Sequence, residues 1–308
     1  MKNIAIIGSP LDCGKSQLGC LMGPDALRVA QIEKSLVELG HKVIDLGDIR
    51  SDFKSPANHG DTWEQKISNC ATWVKALATA AYEHSKDDQI PIFLGGDHLM
   101  SAGTVSGVAK RAYEDGRKQF VLWLDAHPDY HTLQTTKSGN LHGTPVAYFT
   151  GRSGFETKFP DLTAPVHPEN ICMLGIRSVD EDEHAALRNV EIDIHDMKLI
   201  DETGIIKPLR AFLERVKAEN GRLHVSLDVD FLDPSIAPAV GTTVPGGATF
   251  REAHLVMEIL HEADLVTSVD IAELNPFLDE RGRTAHLMVD LIASLMGRKV
   301  FDRPNRSH

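Results

Sequence analysis

The sequence predicts an α/β fold, a mostly parallel β-sheet with helices on both faces. Three observations predict it. Short apolar runs of strand length recur along the 308 residues. Stretches with helical periodicity alternate with them. Residues able to do chemistry gather where the apolar runs end, which is where parallel α/β sheets bind their ligands.

In chain order, Asn3 to Gly8 is a short apolar strand. The loop after it, Gly8-Ser9-Pro10-Leu11-Asp12-Cys13-Gly14-Lys15-Ser16, is close to a phosphate-binding P-loop. That motif needs four residues between its first glycine and the Gly-Lys-Ser, and this loop has five. The amides of such a loop must all face one phosphate, so the extra residue makes this a glycine-rich rim loop rather than a nucleotide site. Gly23-Pro24 opens a helix, proline being suited to a first turn. Ala26, Leu27, Val29, Ile32, Leu36 and Leu39 give it an apolar stripe as far as Gly40.

Lys42 to Leu46 is a second strand, and residues 51–60, polar with Pro56 and Gly60, read as a loop. A helix is predicted from Trp63 to His84 and a third strand from Ile90 to Leu94. The latter ends in Gly95-Gly96-Asp97-His98 ahead of another helical pattern. The glycines there let the backbone pass close to a neighbour, with His98 pointing at it. Phe120 to Leu124, Asn170 to Leu174, Leu223 to Val229 and Leu265 to Ile271 are further strands. Helical patterns lie near 180–189, 207–219, 249–263 and 282–298. No linker, repeat or low-complexity tract divides the chain, so residues 1–308 are expected to form a single domain.

An apolar share of 42% and a charged share of 25% are ordinary for a soluble protein. The net charge of −12 argues against nucleic acid or an anionic membrane as partner, but leaves room for a small cationic substrate. No apolar run reaches the roughly 18 residues of a membrane span, and Met1 to Gly8 reads as a strand rather than a signal peptide. Cys13, Cys20, Cys70 and Cys172 form no CxxC pair. They read as reduced thiols of a cytoplasmic protein.

The chemistry centres on Leu124 to Gly143. Asp125, His127 and Asp129 sit two residues apart, so extended backbone would point all three to one side. By themselves the carboxylates read equally well as solvated loop caps. A second apolar run, Leu223 to Asp230, carries Asp228 and Asp230 at the same spacing. Acidic side chains in such runs are costly to bury unless paired or metal-bound. If the two strands are neighbours, four carboxylates converge with His98 and His127. Two divalent cations would balance the four negative charges, in a site with ions about 3.5–4 Å apart. Oxygen-rich ligation without thiolate favours manganese over zinc. His224 reads as a strand residue, because its flank offers no partner carboxylate, and His254 and His261 as ordinary helix residues.

With these residues in hand, the chain resembles the ureohydrolase (arginase/agmatinase) superfamily along nearly its whole length, and arginases most. The matching blocks are GGDH at 95–98, DAHPD at 125–129, SGNLHG at 138–143, SLDVDFLDP at 226–234 and DIAELNP at 270–276. The resemblance implies a single three-layer αβα domain around an eight-stranded sheet. It implies two manganese ions per subunit, one held by His98, Asp125, Asp129 and Asp228, the other by Asp125, His127, Asp228 and Asp230. His142 matches a proton-transfer histidine, and Glu273 the carboxylate that pairs with a guanidinium. Ser138 and Asn140 match positions at the substrate's α-carboxylate, Asp180 and Glu183 positions near its α-amino group. His131, where arginases usually have asparagine, belongs to the α-carboxylate site. Thr242 is expected among the substrate-binding residues, in a Gly241-Thr242-Thr243 loop that lacks the family's proline. Leu99 stands where the family has serine.

What the resemblance implies is hydrolysis of the guanidinium of L-arginine to L-ornithine and urea by a metal-bridging hydroxide, with Asp129 moving its proton. The expected partner is a small cationic guanidino substrate, and the expected assembly a trimer or hexamer of identical chains. The rival readings are an agmatinase or guanidino-acid hydrolase, a metal-dependent deacylase, and a non-catalytic metal-binding scaffold.

Overall fold

Seven strands form where the apolar runs place them: β1 (Asn3–Ser9), β2 (Lys42–Asp48), β3 (Ile90–Gly95), β4 (Gln119–Leu124), β5 (Ile171–Ile176), β7 (Arg222–Asp228) and β8 (Val266–Ala272). An eighth, β6 (Asp193–Asp196), completes the sheet in the order β2-β1-β3-β8-β7-β4-β5-β6. The computed structural model describes residues 1–50, 62–86 and 88–299, so the loop expected at 51–60 lies outside the described residues. Every strand pairing among them is parallel.

The helices are α1 (Gly23–Val29), α2 (Ile32–Glu38), α3 (Trp63–His84), α4 (Met100–Glu114), α5 (Pro145–Phe149), α6 (Glu181–Leu187), α7 (Met197–Thr203), α8 (Ile206–Ala218), α9 (Phe250–Ala263) and α10 (Arg283–Leu295). Alternate strand residues face opposite layers. Phe120, Leu122 and Leu124 of β4 pack with Leu27, Ile32, Leu36, Phe212, Met257 and Leu291 on one side of the sheet. Val121 and Trp123 pack with Leu77, Val105, Val146 and Phe149 on the other. The result is three layers, αβα. No described helix is long and apolar enough to cross a membrane.

Two features depart from the sequence reading. The helix expected from Gly23 to Gly40 is two helices, because Gln31 takes a left-handed conformation with φ 68°. The break lets Leu27, Ile32 and Leu36 stay buried while Val29, counted in the stripe, is left 80% exposed. The eighth strand, Asp-Ile-His-Asp, has no apolar run to announce it. It pairs only with β5, and short charged strands are what sheet edges favour.

Helix α3 begins on a capping box, with Thr62 and Gln65 bonding reciprocally, and lies closely against α4. A Cβ added to Gly103 would meet Leu77 Cβ at 2.5 Å and the Val74 carbonyl oxygen at 2.6 Å. Backbone on one side cannot give way cheaply. Gly103→Val is therefore expected to cost about 1–3 kcal/mol through overpacking, read as a lower urea midpoint. An unchanged midpoint would contradict this packing.

Candidate metal centre

The neighbours β4 and β7 run in register, Leu124 beside Leu227, so the aspartates that follow leave the sheet side by side. Each begins the same turn. Asp125 Oδ1 accepts the His127 amide at 2.7 Å, and Asp228 Oδ1 accepts the Asp230 amide at 2.7 Å. The other oxygens, Asp125 Oδ2 and Asp228 Oδ2, each lie 2.9 Å from His98 Nδ1. Asp129 Oδ2 lies 3.4 Å from that nitrogen. His127 Nδ1 is 3.1 Å from Asp230 Oδ2 and 3.5 Å from Asp125 Oδ1. Two triads result, His98 with Asp125 and Asp228, and His127 with Asp125 and Asp230, joined by Asp125.

Extended backbone does not carry the DAHPD side chains. β4 stops at Leu124, the chain bends, and Asp129 turns into the left-handed region at φ 48°, which L side chains other than asparagine and aspartate seldom adopt. The side chains converge through turns rather than strand alternation.

All four carboxylates are at most 7% exposed. Burial and then the neighbouring aspartates push the carboxyls of Asp129, Asp228 and Asp230 up. Burial pulls the imidazoles down, but the carboxylates outweigh it, lifting His98 well above its ordinary value and His127 to about 12. For Asp125 the two rings outweigh burial and hold it low. His98 Nδ1 and Asp125 Oδ2 are close, yet not aligned for a hydrogen bond, and both are buried without one. Orphaned nitrogen and oxygen donors facing one another, with no thiolate among them, fit divalent cations.

The structure also fixes how His98 presents itself. Its ring stacks on Trp123, centroids 4.1 Å apart, and its Nε2 meets Ser226 Oγ at 2.8 Å. Ser226 continues to Ser101 at 3.1 Å and Ser101 donates to Asp270 at 2.8 Å. With Nε2 engaged, Nδ1 is the atom left for a cation, the arrangement seen behind metal-binding histidines. Gly96 allows the approach, since a Cβ there would fall 2.2 Å from the Leu11 carbonyl oxygen. Ser226, Ser101 and Asp270 were not singled out from the sequence. Ser226 and Asp270 interrupt apolar strand runs and open two of the matching blocks, whereas Ser101, on α4, leaves no such signal.

Beside the aspartates stands Glu273, 1% exposed and held at φ 67°. Its Oε1 accepts from the His98 amide and meets His142 Nδ1, both at 2.9 Å. Its Oε2 accepts from the ammonium of Lys15. Burial would raise the Glu273 carboxyl, but Lys15 and then His142 hold it well below the usual range. Lys15, set aside with the rim loop, is 4% exposed and central to this pair. Its adjacency was readable only once β1 was known to neighbour β3.

The remaining expected residues divide. Thr242 Oγ1 donates to Asp230 Oδ2 at 3.1 Å, beside the carboxylate cluster. Asn140 Oδ1 accepts from the Ser16 amide at 3.1 Å, and Ser138, exposed, accepts from the Asn140 amide. His131 is brought to the two acids expected near an α-amino group. Its Nε2 lies 2.8 Å from Asp180 Oδ2 and 3.6 Å from Glu183 Oε2, while Nδ1 meets Thr135 Oγ1. Asp180 caps α6, and Glu183 accepts the Tyr130 amide. His224 remains a strand residue, but it does have a carboxylate nearby. Asp270 Oδ2 of the adjacent strand lies 3.1 Å from its Nε2, a partner its own flank could not reveal.

Comparison with known proteins agrees with this geometry. The family model described as Arginase family matches residues 2–297. The arginase of Brucella melitensis biotype 1 is 61% identical over 98% of this chain and 99% of its own length. The arginase structure from Bacillus caldovelox superposes with TM-score 0.87 at 39% identity, covering 97% of this chain and 100% of that one. The Entamoeba histolytica arginase in complex with L-ornithine superposes with TM-score 0.86 at 26% identity, over 97% and 100% of the two chains.

A divalent cation at the aspartate cluster should stabilise the folded chain, by about 2.7 kcal/mol at a free concentration of 100 times Kd. Thermal unfolding with manganese and with chelator measures it, and coincident curves would count against the site. Ser226→Ala should weaken cation binding roughly 10–100-fold while leaving circular dichroism unchanged.

Proposed function

The chain belongs to the arginase family, and on that premise we propose that it hydrolyses L-arginine to L-ornithine and urea. The observation that carries this reading is the placing of one buried carboxylate, Glu273, beside but outside the four-aspartate cluster, within reach of His142. Glu273 offers a guanidinium a charged partner that the metal-binding acids do not.

His98, Asp125, Asp129 and Asp228 would hold one manganese ion, and Asp125, His127, Asp228 and Asp230 a second. When bound, such ions supply hydroxide at neutral pH by lowering the pKa of water. Glu273 holds the guanidinium with its central carbon facing the aspartates. As oxygen adds to that carbon, Asp129 takes the proton from the oxygen and passes it to the amine nitrogen, whose C–N bond then breaks. His142, with Nδ1 engaged by Glu273, has its second ring nitrogen to exchange protons with solvent. Ser138 and Asn140 receive the α-carboxylate. Asn140 suits this, because Ser16 takes its carbonyl oxygen and leaves the amide nitrogen to donate. His131, Asp180 and Glu183 form the α-amino end, and Thr242 steadies Asp230 below the substrate.

The same reading makes the chain a single arginase-type domain, supported by two core clusters that share one sheet. It also makes it a cytoplasmic homo-oligomer, a trimer or hexamer.

His142→Ala should lower kcat about 10²–10⁴-fold, with a much smaller rise in KM. An unchanged kcat would remove the proton-transfer role. Against agmatine and 4-guanidinobutyrate, L-arginine should show the highest kcat/KM, by up to roughly 10⁴-fold where buried polar groups lose their partners. If either analogue wins, the chain is a ureohydrolase of another specificity.

A further inference from the structure

Lys15 is built into the seat that the guanidinium is to take. Its backbone is fixed on both sides. The Gly14 amide donates to Asp97 Oδ2 at 2.6 Å, the Gly14 carbonyl accepts the His142 amide at 3.1 Å, and the Ser16 amide is held by Asn140. The side chain runs inward to Glu273 Oε2, with Cys20 Sγ 3.7 Å from the ammonium. A Cβ added to Gly241 would lie 3.0 Å from Lys15 Nζ. The ammonium is therefore within reach both of Glu273 and of the loop whose Thr242 touches the aspartate cluster.

Counting the acceptors on Glu273 shows what this means for a ligand. Oε1 already takes the His98 amide and faces His142, while Oε2 takes Lys15. A guanidinium that pairs with both oxygens of a carboxylate needs two parallel N–H···O bonds. It can form them only by displacing the ammonium or by sharing Oε2 with it. Sharing places two cations on one buried carboxylate, and displacement breaks an existing ion pair. Both oppose binding of a cation.

We propose that Lys15 is a specificity-determining residue, an internal counter-ion of Glu273 that competes with the substrate's guanidinium. This rests on the reading of Glu273 as the guanidinium's partner. Lys15 keeps Glu273 paired until substrate arrives and sets how much binding a cationic group must supply from its other end. A simple guanidinium, with no second end to be recognised, is held weakly. A substrate that also engages the 131–140 and 180–183 residues makes up the difference.

The test uses the manganese-loaded full chain with Lys15→Met, which keeps the length and removes the charge, and Lys15→Gln, which keeps a neutral donor to Oε2. Lys15→Arg keeps the charge. Calorimetric titration with millimolar guanidinium ion should show about tenfold tighter binding to the Met and Gln variants, equivalent to about 1.4 kcal/mol. KM for L-arginine should fall by a similar factor in both, and Lys15→Arg should show no such tightening. Structural damage to the seat weakens binding, so tighter binding separates competition from a merely supporting role. Affinity that is unchanged or weaker in folded Lys15→Met and Lys15→Gln overturns the proposal. Glu273→Gln, titrated in parallel, tells the two readings apart. If it leaves guanidinium affinity intact, the role of Glu273 falls and that of Lys15 with it. If it abolishes binding while Lys15→Met does not tighten it, the role of Lys15 alone falls.

Discussion

Four carboxylates buried within a few ångströms of one another repel strongly, because the low dielectric that makes burial costly also lengthens the reach of each charge. The C-terminal edge of the sheet is arranged around that repulsion. One oxygen of Asp125 and one of Asp228 accept a backbone amide two residues on, and Asp230 Oδ1 accepts the Ala126 amide. Such bonds favour the charged form and fix the direction of the remaining oxygens. Those oxygens point at two imidazoles, and the orientation of one, His98, is set from behind through Ser226 and Trp123. The adjacency of β4 and β7 makes the cluster possible. The crowded charge in turn suits the site to cations, since among the described residues two imidazoles face four carboxylates.

Glu273 meets the same difficulty by another route. Its strand, β8, lies between β3 and β7, so the carboxylate emerges beside the GGDH turn and next to the aspartates. Here the chain supplies its own cation. A buried ion pair gains little net stability, since desolvation offsets most of the attraction, but removing one partner is severe. The site thus holds two kinds of negative charge, one waiting for metal and one provisionally paired with Lys15. An incoming organic cation can exchange with an ammonium on Glu273, whereas a single positive charge cannot balance the four aspartates. That difference separates two neighbouring groups of buried carboxylates by the kind of cation each suits.

Much of this could be read from the sequence, and the reasons are physical. Strands buried on both faces appear as unbroken apolar runs, as Phe120 to Leu124 does, and acidic residues at their ends stand out by cost alone. The edge strand at 193–196 carries no such run, because one side of it needs no neighbour. The break at Gln31 left no proline or glycine to announce it, and tertiary packing of Leu27 and Ile32 decided it. Asp129 was placed beside its partners by an alternation that its backbone does not follow. Lys15 and the Ser226–Ser101–Asp270 relay were hidden for a different reason. Their meaning lies in which strands are adjacent, and strand order in a crossover sheet is not a local property of the chain.

The two ends of the candidate pocket also differ in how freely they can change. The aspartates, His98 and Glu273 are buried on strand ends and tied to one another, so altering any one disturbs several. The far end is built on the loop after β4 and on the start of α6, where Ser138 and Asp180 are exposed. His131 illustrates the freedom there. Where arginases usually have an asparagine, an imidazole reaches Asp180 at 2.8 Å and Thr135 at 3.1 Å. Both ring nitrogens are thus engaged within the chain, on Asp180 and Thr135. Substrate choice can move by such exchanges on a half-exposed rim, while the chemistry beneath stays fixed by charges that have nowhere else to go.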